Sequence, residues 1–192
     1  EKSVFHFFAD DDARFIDRIT TLTATDTTVF FEDTKEGMLG IRVIRALELP
    51  SDRPVRLTGA DGQPVDSAVV YNEGVNGHYL SSEGLRDGDV WGTRARWVKL
   101  YGDAGDVPVS VTIVDHPENV GYPTYWHARG YGLFAANPLG QETFSEGEET
   151  MKLTLAPGES VTLRYRLIVH DRAVLEPAAI DAKADAFAKL YK

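Results

Sequence analysis

The stretch Ser160–His170 (SVTLRYRLIVH) alternates with a period of two. Val161, Leu163, Tyr165, Leu167 and Val169 share one face, and Thr162, Arg164, Arg166 and Ile168 share the other. A helix would repeat its apolar positions roughly every 3.6 residues, so this segment is committed to a sheet. The preceding Ala156-Pro157-Gly158-Glu159 is a strong turn signal. A strand needs partners, and the chain offers several. Residues 15–24 (FIDRITTLTA) are rich in β-branched side chains that suit a pleated surface. Residues 27–32 and 38–49 continue the pattern. In 38–49, Ile41, Val43 and Arg45 point one way while Arg42, Ile44 and Ala46 point the other. Apolar residues on both faces predict a strand buried on both sides, entered through the turn Lys35-Glu36-Gly37. Shorter strands are expected over 96–101, 107–115, 131–136 and 150–155.

Repeated strands separated by Gly, Pro, Asp and Asn turns predict an all-β protein, an antiparallel β-sandwich forming one domain over 1–192. Only 177–192 (PAAIDAKADAFAKLYK) reads as a helix, with Pro at its start and a stripe of Ile180, Ala184, Phe187, Ala188 and Tyr191. It is expected to pack on the sandwich. The segment 50–92 resists both patterns. Its glycines at 59, 62, 74, 77, 84, 88 and 92 predict a long loop region, with a short strand at most over 68–71.

Composition narrows the function. Thirty Asp and Glu against twenty Lys and Arg leave a net charge of −10. Such a chain lacks the cationic surface that nucleic acids or anionic membranes require. No apolar run is long enough to span a bilayer. The absence of cysteine removes disulfides, thiolate metal sites and a Cys nucleophile. A soluble protein is expected, with the compartment open between cytoplasm and periplasm. The chain starts at Glu1 without Met, as a processed form or a fragment would.

Three segments concentrate chemistry. Residues 31–42 (FEDTKEGMLGIR) set four charged side chains beside a turn. Residues 82–97 (SEGLRDGDVWGTRARW) interleave carboxylates with Arg86, Arg94 and Arg96 and hold Trp91 and Trp97. Guanidinium forks and aromatic faces suit carbohydrate and carboxylate ligands. Residues 115–137 (DHPENVGYPTYWHARGYGLFAAN) hold His116, His127, Arg129 and Asn137 among aromatics. If extended, His127 and Arg129 face one way and Trp126 and Ala128 the other. Each histidine is either a general acid or base or a core histidine holding a loop carbonyl. No close-spaced histidine pair supports a metal site, and no phosphate loop, nucleophile elbow or dinucleotide fingerprint occurs. Neither metal nor cofactor is read from the sequence.

The strings Phe30–Val43, Ser82–Trp97 and His116–Gly140 together resemble the bacterial PmoA-like family, a domain of unknown function also labelled methane oxygenase PmoA. The resemblance runs from about Ile19 to Val169 and leaves 1–14 unmatched, so it implies an N-terminally shortened relative. It implies a β-sandwich, similar to mutarotase-like supersandwiches, and a carbohydrate role by association. The expected site gathers His127, His116 and Glu36 for acid–base chemistry on a sugar or sugar derivative. Arg42, Arg94, Arg96 and Asn137 would bind the ligand, and Trp91 or Trp126 would stack on it. The alternatives are a noncatalytic sugar-binding or assembly module and a metal-dependent oxygenase. Expected partners are a small carbohydrate and a second copy or partner chain at an exposed sheet edge.

Overall fold

A computed structural model describes residues 1–171 and 174–191. The strands in chain order are β1 (Lys2–Ala9), β2 (Arg14–Thr23), β3 (Val29–Phe30), β4 (Leu39–Arg42), β5 (Val55–Thr58), β6 (Pro64–Val69) and β7 (His78–Ser81). They continue as β8 (Trp97–Ala104), β9 (Val107–Asp115), β10 (Tyr125–Ala128), β11 (Leu133–Asn137), β12 (Thr154–Leu155) and β13 (Ser160–His170). A single helical turn, α1 (Gln141–Phe144), and a longer helix, α2 (Pro177–Phe187), complete the list with two 3-10 turns at Arg45–Leu47 and Asp87–Val90. Antiparallel pairing links six strands in the order β1-β2-β13-β9-β8-β7. A second sheet has the order β10-β11-β4, and β12-β3 and β5-β6 form two-stranded pairs.

The all-β sandwich with a C-terminal helix is what the period-two pattern demands. The small sheet supplies Leu39, Trp126, Ala128, Phe134 and Ala136 to one core, where they share a cluster with Val98, Leu100, Ile113, Leu163 and Tyr165 of the large sheet. The opposite face of the large sheet carries Phe15, Trp97, Val114 and Ile168, which cluster with Ile180, Ala184 and Phe187 of α2. The large sheet is therefore buried on both faces. This changes the meaning of the polar face of β13. Arg166 does not face water but sits under α2, where its guanidinium grips Asp17 of β2 at 2.6 and 2.7 Å. The two side chains are 5% and 0% exposed. Tyr191 donates a third hydrogen bond to the same carboxylate at 3.0 Å. The rings of Phe8, Phe15 and Phe187 surround the guanidinium at 4.7 to 5.5 Å.

Several expectations are corrected. The strand predicted over 38–49 stops at Arg42, because the chain then coils into the 3-10 turn Arg45–Leu47. Only Leu47 of that turn is buried, while Arg45 turns outward to Glu48 and to the carbonyl of Tyr71. The supposed loop region 50–92 contains the β5–β6 hairpin and β7, which extends the large sheet. Strand β1, unrecognised in the sequence, forms an edge of the large sheet with Phe5, Phe7 and Phe8 exposed. Helix α2 ends at Phe187, and Lys192 of the predicted helix lies outside the described residues. Among the described residues no helix is long and apolar enough to cross a membrane.

The buried ion pair predicts an asymmetric mutational response. Arg166→Met leaves the Asp17 carboxylate uncompensated and should cost about 3–5 kcal/mol. The double change Asp17→Leu with Arg166→Met should recover most of that loss, because no buried charge remains. Guanidinium unfolding of the parent, the single and the double variant measures both effects.

Candidate functional site

Strand β10 divides its side chains between two environments. Trp126 and Ala128 point into the core between the sheets. Trp126 is fully buried, and its Nε1 donates to the Ala95 carbonyl at 2.9 Å. It is a core residue, so the expected stacking role for Trp126 is withdrawn. Tyr125, His127 and then Arg129 alternate onto the opposite face of the small sheet, where Tyr125 and His127 are buried and Arg129 is partly exposed.

His127 is held there by a specific contact. Its Nδ1 lies 2.9 Å from the Lys35 carbonyl. A carbonyl only accepts, so Nδ1 carries the proton and Nε2 presents a lone pair. No described residue hydrogen-bonds that Nε2. Burial pushes the imidazole below the usual histidine range, against the opposing effect of the Lys35 bond. His127 is therefore a neutral base at pH 7 in a fixed tautomer. Its ring meets Phe144 of α1 edge-on at 5.9 Å.

Phe144 also meets Trp91, at 5.5 Å. Gly92, at φ +70°, allows the sharp turn after Trp91, and its N–H donates to the Trp126 carbonyl. Trp91 forms one wall of a cleft of about 370 Å³. Ser51, Arg53, Trp91, Arg129 and Tyr131 line it. The Arg129 guanidinium sits 5.5 Å from the Trp91 ring and 5.5 Å from the Tyr131 ring. Arg42 approaches the same Tyr131 ring at 5.2 Å and donates to its carbonyl at 3.2 Å. Trp91 Nε1 is buried and has no acceptor among the described residues.

The remaining expected residues go elsewhere. His116 is fully buried on the α2 side, where Phe187 meets its ring at 5.0 Å. Its Nε2 donates to the Leu190 carbonyl at 2.8 Å, and its Nδ1 accepts the Glu118 N–H at 3.1 Å. Both nitrogens are committed, so His116 ties a loop and the end of α2 to the sheet. Arg96 also faces α2, bonded to Asp185 at 2.5 Å and 4.0 Å from Asp181. Arg94 clamps a loop through the carbonyls of Gly121 and Pro123, pairs with Glu149 and covers the Tyr125 ring at 4.3 Å. Asn137 is buried and bonds the Thr34 carbonyl and the Leu139 N–H. Glu36 is exposed beside Lys35. No hydrogen bond or ion pair joins any two of Glu36, Arg94 and His127. Among the described residues no three His, Asp or Glu side chains cluster as metal ligands.

Sequence reasoning missed Arg53, Tyr131 and Phe144. Arg53 lies in the segment read as loop, and Phe144 lies in a helical turn too short to leave a period. It also missed Asp115, whose carboxyl burial pushes up to about 7. Asp115 accepts from the backbone of His116 and Thr124 and from Asn119, at 2.8 to 3.0 Å. These bonds pin the segment between β9 and β10, and this is a structural use of a carboxylate.

The chain was compared with known proteins. A family model described as a family of unknown function, DUF6807, matches residues 1–185. The chain belongs to this family. The match takes in residues 1–14, which the resemblance to PmoA-like proteins leaves out. No curated protein and no solved structure matches the chain. In this DUF6807 chain Phe144 thus stands between the buried His127 imidazole and Trp91, a wall of the aromatic and cationic cleft.

The two histidines should respond differently to substitution. His116→Ala removes both loop bonds and the contact with Phe187, and should cost about 2–4 kcal/mol. His127→Gln should stay within about 1 kcal/mol of the parent at neutral pH. The pH dependence has a defined sign. The folded pKa of His127 is depressed below the unfolded value of about 6.5, so the unfolded chain binds the proton better. Its stabilising contribution is present above about pH 6.5 and is lost as pH falls. His127→Gln should therefore lose less stability than the parent between about pH 6.5 and 5. Urea titrations across that range read the difference.

Proposed function

We propose that this domain binds a sugar or sugar derivative in the cleft between Trp91 and Tyr131, with His127 as the adjoining acid–base group. The observation that carries the reading is the Arg129 guanidinium within 5.5 Å of both the Trp91 and the Tyr131 ring in an open cleft. Aromatic faces cover the C–H face of a pyranose, and a guanidinium fork donates to its oxygens. The cleft volume of about 370 Å³ falls in the range that small-molecule sites occupy. The lone pair on His127 Nε2 supports proton transfer, because a neutral imidazole in one tautomer is ready to accept a proton near pH 7. Phe144 touches both His127 and Trp91, which makes the imidazole and the cleft neighbours. The likeness of the three sequence strings to PmoA-like proteins belongs to this proposal and rests on those strings alone.

One observation favours a second reading, a noncatalytic sugar-binding module. Glu36, the expected carboxylate partner, is exposed and makes no bond to His127. In that reading the cleft binds and the buried imidazole only supports Phe144 behind Trp91.

Binding to a panel of monosaccharides, followed by heteronuclear NMR, tests the proposal. Trp91→Ala and Tyr131→Ala should each weaken binding about tenfold or more, with the fold intact by circular dichroism. Unchanged affinity in both variants removes the cleft from the site. His127→Gln should keep binding. It should abolish turnover if the domain is catalytic, and it should change nothing if the domain only binds.

A further inference from the structure

We infer that the cleft selects saccharides bearing a carboxylate, such as uronic acids, over their neutral counterparts. This rests on the saccharide reading of the cleft and adds its charge class.

The argument starts from an imbalance. The chain carries thirty carboxylates and only twenty Lys and Arg side chains. Arg14, Arg18, Arg45, Arg94, Arg96 and Arg166 each have an acidic neighbour. Arg42, Arg53, Arg56, Arg86, Arg129 and Arg164 have no ion-pair partner among the described residues, and three of these gather at the cleft: Arg53 and Arg129 line it and Arg42 lies against its Tyr131 wall. No Asp or Glu lines the cleft. A concave site with one sign of charge focuses its field and concentrates ions of the opposite sign.

Geometry adds specificity to the charge. Arg129 is partly buried and its guanidinium lies 5.5 Å from both the Trp91 and the Tyr131 ring, which restricts its freedom before any ligand arrives. A guanidinium fork held in this way matches a carboxylate through two parallel hydrogen bonds. Arg53 lines the same cleft from the segment leading into β5. A pyranose carrying a carboxylate can lay its apolar face on an aromatic ring while its acid group meets a guanidinium. A neutral sugar fills the same space but leaves the cationic side without a counter-charge.

Isothermal titration of the full chain with glucuronate, galacturonate, glucose, galactose, glucose 6-phosphate, acetate and sulfate tests the inference. The expected result is a uronate bound about tenfold or more tightly than the neutral sugar of the same ring. Arg129→Gln and, separately, Arg53→Gln should erase that preference. Arg53→Gln lies at an exposed position, so it remains informative if Arg129→Gln fails to fold. Arg86→Gln, which removes the same charge beside Tyr101, should keep the preference. Equal affinity for uronates and neutral sugars overturns the inference and leaves the saccharide reading standing. Absence of binding by every sugar and sugar acid overturns both. Acetate or sulfate binding as tightly as a uronate overturns the inference in favour of a simple anion site. A preference for glucose 6-phosphate overturns the choice of carboxylate.

Discussion

Arg166 and Asp17 form an ion pair with both charges out of water, and α2 and Tyr191 close over it. The pair joins β13 to β2 at opposed register positions within the large sheet. Two unpaired charges there would be intolerable, and a solvated pair would leave the sheet face open. The structure resolves this by closing α2 over them. Phe187 of α2 stacks against the guanidinium, and Tyr191 just beyond α2 completes the carboxylate's hydrogen bonds. With this face of the large sheet closed by α2 and the opposite face closed by the small sheet, the outer face of the small sheet is covered by the 34–35 segment and by Phe144, which bury His127. Arg129, two residues on, is only partly buried.

The large sheet was legible because its strands obey simple alternation. Strand β13 has the predicted bounds, and β8 and β9 lie close to theirs. The opposed facing of Trp126 and His127 was legible for the same reason. Strand β1 was not, because Val4, Phe5, Phe7 and Phe8 do not alternate and the strand lies at an edge, where burial does not enforce a pattern. The β5–β6 hairpin was hidden similarly. Its residues are almost all exposed, so no core selected its sequence. The polar face of β13 was misleading, since polarity marked a buried pair rather than solvent.

The histidines show where local sequence stops informing. His116 and His127 both sit near aromatic residues, and burial depresses the pKa of both. What separates them is the second ring nitrogen. In His116 it is taken by a backbone group of Leu190, far away in sequence. In His127 the Lys35 carbonyl orients one nitrogen and leaves the other without a protein partner. Neither acceptor can be inferred from the residues flanking the histidine. The same applies to Asn137, whose polar side chain looked available for a ligand but is consumed by Thr34 and Leu139.

The cleft can stay cationic because of how the rest of the protein distributes its acids. Arg94 and Arg96 were candidates for the ligand, yet Glu149 and Asp185 neutralise them in structural roles. Arg129 differs because its neighbours are aromatic. Trp91 and Tyr131 approach the guanidinium and satisfy none of its N–H donors. Ring contact thus restricts the group without consuming its capacity to recognise an oxygen ligand. A carboxylate placed beside it would restrict it equally well but would cancel its charge. Contact with rings rather than with a carboxylate therefore leaves Arg129 both its charge and its N–H donors, the capacity that the proposed ligand would use.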